Sequence, residues 1–222
     1  MTVTLVVGVA AAIGLVTGLA TPAVLRRLPE PLTTADAEAK IPYATLATPS
    51  FDVAVGALAA LGVLLPGLLL PAGLAVGWVV LATLGVLLAA IDARTTWLPL
   101  PLTRVAWLAT GAALLAVGVG AGWSAALRGL GGFLLAGGVF GAIWLISRGG
   151  FGFGDVRYAP LVGAATASAS WTLLAWALVL GSLVGAAVGL VRLSHGRRGA
   201  FAYAPAILTG AYLSVVAGWL LG

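Results

Sequence analysis

Apolar positions along this chain do not alternate with polar ones; they come in long runs parted by short polar gaps. The runs fall at about 2–24, 51–70, 73–91, 104–122, 127–147, 157–168, 170–191 and 203–221. A hydrocarbon core of ~30 Å takes roughly 20 apolar residues wound as a helix. The pattern therefore predicts an all-α, polytopic membrane protein with about eight transmembrane helices. The sixth run is too short to span comfortably alone and reads as a half-helix continuing from a loop, which a bilayer tolerates only where protein surrounds it. Pro66 and Pro71 mark the turn between the second and third runs, and Ala167-Ser168-Ala169-Ser170 the turn between the sixth and seventh. The first run, Thr2 to Leu25, lacks a basic segment before it and meets Arg26 and Arg27 directly after it. It reads as a retained helix and not as a signal peptide.

Composition agrees with this picture. Of 222 residues, 62% are hydrophobic and 8% charged, and the mean hydropathy is +1.16; so few charges do not cover a soluble surface. The net charge of +5 does not point to nucleic acid, because the basic residues sit in the gaps between apolar runs. Arg26, Arg27, Lys40, Arg94, Arg104, Arg148, Arg157, Arg192, Arg197 and Arg198 fall in or beside alternate connections, and Arg128 alone falls on the other side. By the positive-inside rule those connections are cytoplasmic and both termini external. The stretch Arg26 to Ser50, with Glu30, Asp36, Glu38 and four prolines, reads as a cytoplasmic loop too small for a domain. The expected division is residues 1–50, the first helix and this loop, and residues 51–222, a membrane-embedded domain. Glycines at four-residue spacing, such as Gly181, Gly185 and Gly189, permit close helix contact.

With no cysteine and one histidine, His195, the chain has no disulfide, no thiolate metal site and no paired-histidine zinc motif. Its chemistry must then come from carboxylates, which are costly at membrane depth. Glu30, Asp36 and Glu38 lie in the polar loop, and Asp52 stands where an acid is cheap, at a helix N-terminus. Asp92 ends the third run, before a loop with Pro99 and Pro101, and Asp155 closes Gly149-Gly150-Phe151-Gly152-Phe153-Gly154-Asp155. The topology puts both on one face at similar depth. Two adjoining carboxyls cannot both ionise cheaply, so they share a proton and can activate a water between them. The glycines before Asp155 would allow unusual dihedrals and the close approach of a peptide; the plain alternative is a helix-breaking loop.

These residues carry a resemblance. Gly152-Phe153-Gly154-Asp155 matches the G-x-G-D motif of the GxGD membrane aspartyl proteases, and its surroundings, through Val156, Arg157 and Tyr158 to Ala164, are similar to the bacterial prepilin leader peptidases. Asp92 to Leu98-Pro99 fits that family's second aspartate segment, and Phe201-Ala202-Tyr203-Ala204-Pro205 resembles the start of its last helix. The resemblance implies an inner-membrane aspartic endopeptidase that removes leaders from type IV prepilins or pseudopilins at the cytoplasmic face. Asp92 and Asp155 would be catalytic, with Gly152, Gly154, Arg157 and Pro99 binding substrate or shaping the site. The partners implied are a prepilin with a hydrophobic N-terminal helix and the lipid bilayer, and no metal or cofactor is needed. Arg157 stands where the family commonly has lysine, keeping charge but not shape. The short loop has no cysteine pairs, so the resemblance does not carry methyltransferase activity with it.

Other features read more plainly. Ser194-His195 sits on a basic loop without a nucleophile elbow. Arg94, Arg148 and Arg157 serve as orientation anchors, with a second use for one of them in meeting a catalytic aspartate or an acidic substrate side chain. Trp97, Trp107, Trp123 and Trp171 near run ends form an interfacial belt. The competing class is a cation- or proton-coupled transporter using the same two aspartates; their place near one membrane edge, away from the midplane, argues against it.

Overall fold

The computed structural model describes residues 2–30, 41–148, 152–196 and 201–221. Asp36, Glu38, Lys40, Gly149, Gly150, Phe151, Arg197 and Arg198 lie outside the described residues. Among the described residues every regular element is helical: α1 (Val3–Arg27), α2 (Pro49–Leu69), α3 (Ala72–Thr95), α4 (Leu100–Ala121), α5 (Trp123–Ile146), α6 (Phe153–Ala169), α7 (Trp171–Ser194) and α8 (Ala204–Leu221), with a 3-10 turn at Tyr43–Leu46. Six of them, α1 to α5 and α7, are long and apolar enough to cross a bilayer, which makes the chain a multi-pass membrane protein. The remaining two, α6 and α8, are shorter, at 17 and 18 residues, so that the described chain has the eight helices expected, six of them of full spanning length.

Three helices begin earlier than the apolar runs suggest: α4 at Leu100, α5 at Trp123 and α6 at Phe153. In each case the arginine at the start of the run (Arg104, Arg128, Arg157) lies inside the helix, a turn or more past its first residue. A long arginine stem lets the charge leave the apolar layer while its backbone stays helical, so these charges do not mark helix ends. Two turns also move. Pro66 is inside α2, and Pro71 precedes the first residue of α3. The break between α6 and α7 is Ser170 alone, whose hydroxyl accepts the Leu173 N–H at 3.0 Å as an N-cap. Between α4 and α5 the chain reverses through Gly122 at φ +96, which a side chain would resist.

The short helix α6 is the centre of the bundle: Tyr158 through Ser168 are all buried. It therefore has no lipid to face and needs no full span. Its tightest neighbour is α5, where Gly132 and Gly163 oppose each other so closely that a methyl on either would strike the other's carbonyl. Gly14 and Gly56 do the same for α1 and α2, where a Cβ on Gly14 would lie 2.6 Å from the Gly56 carbonyl. Gly181 meets α8 and Gly185 makes room for the Tyr203 ring, as their spacing predicts, whereas Gly189 has only an ordinary contact with Phe201 at 3.9 Å.

Helix α3 is not uniformly wound. A 3-10 stretch at Val76–Trp78 is followed by a wide π turn at Leu81–Gly85 and then regular helix over Val86–Thr95. Outside the spans, Glu30 accepts the backbone N–H of Tyr43 at 2.8 Å and of Ala44 at 3.1 Å, closing the start of the 3-10 turn. Burial, and then the Glu30 charge, push the Tyr43 phenol up to about 12, so it stays neutral in the physiological range.

Candidate active site

Asp92 is 4% exposed and Asp155 7%. They come from α3 and α6 and lie toward the same end of the bundle. Asp92 is one turn short of the end of α3, which runs on to Thr95 and closes when the Thr96 N–H returns to the Asp92 carbonyl at 2.7 Å. Thr96 does this in the left-handed region, φ 56, an uncommon setting for a β-branched residue.

The carboxylate of Asp92 is held by another helix. Its Oδ2 accepts the Ala204 N–H at 3.1 Å, and the Tyr203 N–H donates to it as well. These are orphan donors at the start of α8, where the helix dipole also favours negative charge. Pro205, next in line, has no N–H to leave unpaired. Asp155 lies in the first turn of α6, with Gly152 as the residue before the helix and the Asp155 N–H returning to the Gly152 carbonyl at 3.2 Å. Asp155 lies near enough for the charge of Asp92 to act on it.

The glycines of the motif act by size and not through unusual dihedrals. Gly152 has an ordinary extended backbone (φ −69, ψ 129), and Gly154 is helical. A Cβ on Gly152 would lie 3.1 Å from Asp155 Oδ2, and one on Gly154 would lie 3.0 Å from the Leu98 side chain. Gly154 thereby lets the start of α6 rest on the segment that follows Asp92. Pro99, next to Leu98, is buried; its carbonyl takes both the N–H and the hydroxyl of Thr103 at 3.0 Å, fixing the start of α4.

Two positioning contacts had no local signal in the sequence. The buried Tyr158 hydroxyl donates to the Gly85 carbonyl at 3.0 Å, tying α6 to the wide turn of α3. Trp107, expected in an interfacial belt, donates its indole N–H to the Arg157 carbonyl at 2.9 Å, tying α6 to α4. The Arg157 guanidinium lies 4.5 Å over the Phe153 ring, a cation–π contact, and that ring sits 5.0 Å from Trp144. Arg94 and Arg148 are exposed.

The remaining polar candidates lie elsewhere. Ser194 and His195 both turn onto the Val191 carbonyl, each at 2.8 Å, and stand 3.4 Å apart on an exposed helix end. Asp52 is in the first turn of α2, with Arg26 near enough to act on its charge. Arg128 donates to the Ser168 carbonyl at 3.1 Å. Among the described residues no group of three or more His, Asp or Glu side chains could hold a metal ion. Compared with known proteins, the chain matches no family model, no curated protein and no solved structure.

Proposed function

We propose that this chain is a membrane aspartic endopeptidase of the prepilin leader peptidase kind, cleaving prepilin or pseudopilin leaders at the cytoplasmic face of the bacterial inner membrane. One observation carries the reading: two buried aspartates from separate helices share one end of the bundle, near enough for the charge of Asp92 to act on Asp155. The protein builds this costly arrangement where the helices themselves have no need of it. The resemblance around Gly152-Phe153-Gly154-Asp155 and Asp92 to Pro99 names the family.

The chemistry follows from a shared proton. N–H donors on Asp92 favour negative charge on that carboxylate, which leaves the proton with Asp155. Asp92 takes a proton from a water between the acids while Asp155 hydrogen-bonds to the scissile carbonyl. The water oxygen adds to the carbonyl carbon, giving a tetrahedral diol. Asp92 then delivers its proton to the amide nitrogen, the C–N bond breaks, and Asp155 recovers its proton from the diol as the acid forms. The titration belongs to the pair as a whole.

The test is incubation of the purified protein with a full-length prepilin, with mass analysis of the new N-terminus. Cleavage is expected from the wild type, and a loss of about 10³-fold or more from Asp92→Asn and from Asp155→Asn. Proton or cation flux in vesicles without cleavage would replace the hydrolase by the transporter.

A further inference from the structure

The helix that carries Asp92 ends in a turn with more fastening than a helix end needs. The Thr96 N–H returning to the Asp92 carbonyl already closes α3, and a glycine at that position would make the closure at less cost. Thr96 stands there instead, its hydroxyl donating to the Thr95 carbonyl at 2.7 Å. Thr95, 8% exposed, adds a tie that reaches past the helix. Its Oγ1 accepts the Trp97 N–H at 3.2 Å, and its one proton has the Ile91 carbonyl at 2.9 Å and the Trp97 carbonyl at 3.1 Å to donate to. Leu98, next in line, precedes Pro99 and is thereby biased to extended backbone. Its side chain is the one that Gly154 makes room for.

We infer that Thr95 is a positioning residue that sets the spacing of the two acids, an inference that rests on the peptidase reading. The residues it links are the immediate neighbours of both: Ile91 precedes Asp92, and Gly154 precedes Asp155. From one to the other the route runs through the Ile91 carbonyl, the Thr95 hydroxyl, the Trp97 backbone and the Leu98 side chain to Gly154. A β-branched side chain is stiff at χ1, so the Thr95 link holds its length. Trp97 itself is 38% exposed; the tie does not bury that ring, and what it places is Leu98. Two carboxyls that must hold one water between them tolerate little change in spacing, since a misplacement of ~1 Å costs about a hundredfold in rate. A plain helix cap accounts for the Thr96 N–H but not for a buried hydroxyl spent on the segment beyond it.

Two variants of similar shape test this. Thr95→Val removes the hydroxyl, and Thr95→Ser keeps it. With full-length prepilin, Thr95→Val should lower kcat per folded molecule by about tenfold or more at unchanged KM, and Thr95→Ser should stay within about twofold of wild type. A wild-type kcat in Thr95→Val, a change confined to KM, or an equal loss in Thr95→Ser overturns the assignment. The lack of cysteine in the chain allows a second readout that needs no cleavage. A Cβ on Gly154 would lie 3.5 Å from that of Leu98, a span that a disulfide bridges. In the double variant Leu98→Cys with Gly154→Cys, mild oxidation should close that disulfide several-fold more slowly once Thr95→Val is added, and Thr95→Ser should keep the rate. Equal rates with and without Thr95→Val overturn the assignment. If the wild type cleaves nothing while Thr95→Val slows the disulfide, the peptidase reading fails and the spacer stands.

Discussion

The two ends of the bundle use polar groups in different ways. At the far end, every conspicuous feature serves the backbone. Gly122 turns the chain in a single residue, Gly73 lies against the Gly120 backbone, and Arg128 donates to the Ser168 carbonyl near the C-terminus of α6. A cation there answers both the orphan carbonyls and the helix dipole. At the other end the N-termini of α6 and α8 converge on two carboxylates that no helix requires. Water or neutral side chains could satisfy those N–H groups more cheaply than buried acids. One end is thus built for the fold, and the other carries a charge that stability does not explain.

That contrast can be broken by substitution. The largest effect belongs to the acids: Asp92→Asn and Asp155→Asn should abolish cleavage yet leave the melting temperature unchanged or higher. A collapse of the fold in both variants would return the acids to a structural role. Next comes Gly73→Val at the far end, whose side chain has to displace the Gly120 backbone. It should cost about 2–3 kcal/mol in a denaturation titration, with normal cleavage per folded molecule. Arg128→Leu, which strips the cap from α6, should cost about 1–2 kcal/mol by the same measurement, again with cleavage per folded molecule intact. The smallest effect is expected at Thr96→Gly, beside the acids. Relief of its left-handed backbone should raise stability by up to about 1 kcal/mol while cleavage does not improve.

What the sequence made legible follows the same division. Asp92 and Asp155 stood out because charge is scarce in this chain, and scarcity survives any error in helix boundaries. The boundaries themselves slipped at Arg104, Arg128 and Arg157, since a charged residue reports where the apolar layer stops and not where the winding stops. The Gly152 and Gly154 motif was visible, but its reason was not: only the packed structure puts the Leu98 side chain and the Asp155 carboxylate where side chains would have stood. The contacts of Tyr158 and Trp107 gave no signal, although Trp107 stood out as part of an interfacial belt. Each makes a contact far along the chain, and an aromatic residue in an apolar run looks the same whether it anchors a helix or faces lipid. The donors from Tyr203 and Ala204 were half visible, through a proline that marked a helix start without saying what it would face.

The wide turn in α3 has a geometric consequence. A π turn accommodates one residue more than regular winding would, and each residue of an α-helix advances the azimuth by about 100°. Were Leu81–Gly85 wound like the rest of α3, Asp92 would point about 100° away from the N-terminus of α8. The hydroxyl of Tyr158 rests on the last carbonyl of that turn. A single neutral latch near the middle of the bundle thus sets the compass bearing of a carboxylate about two turns away.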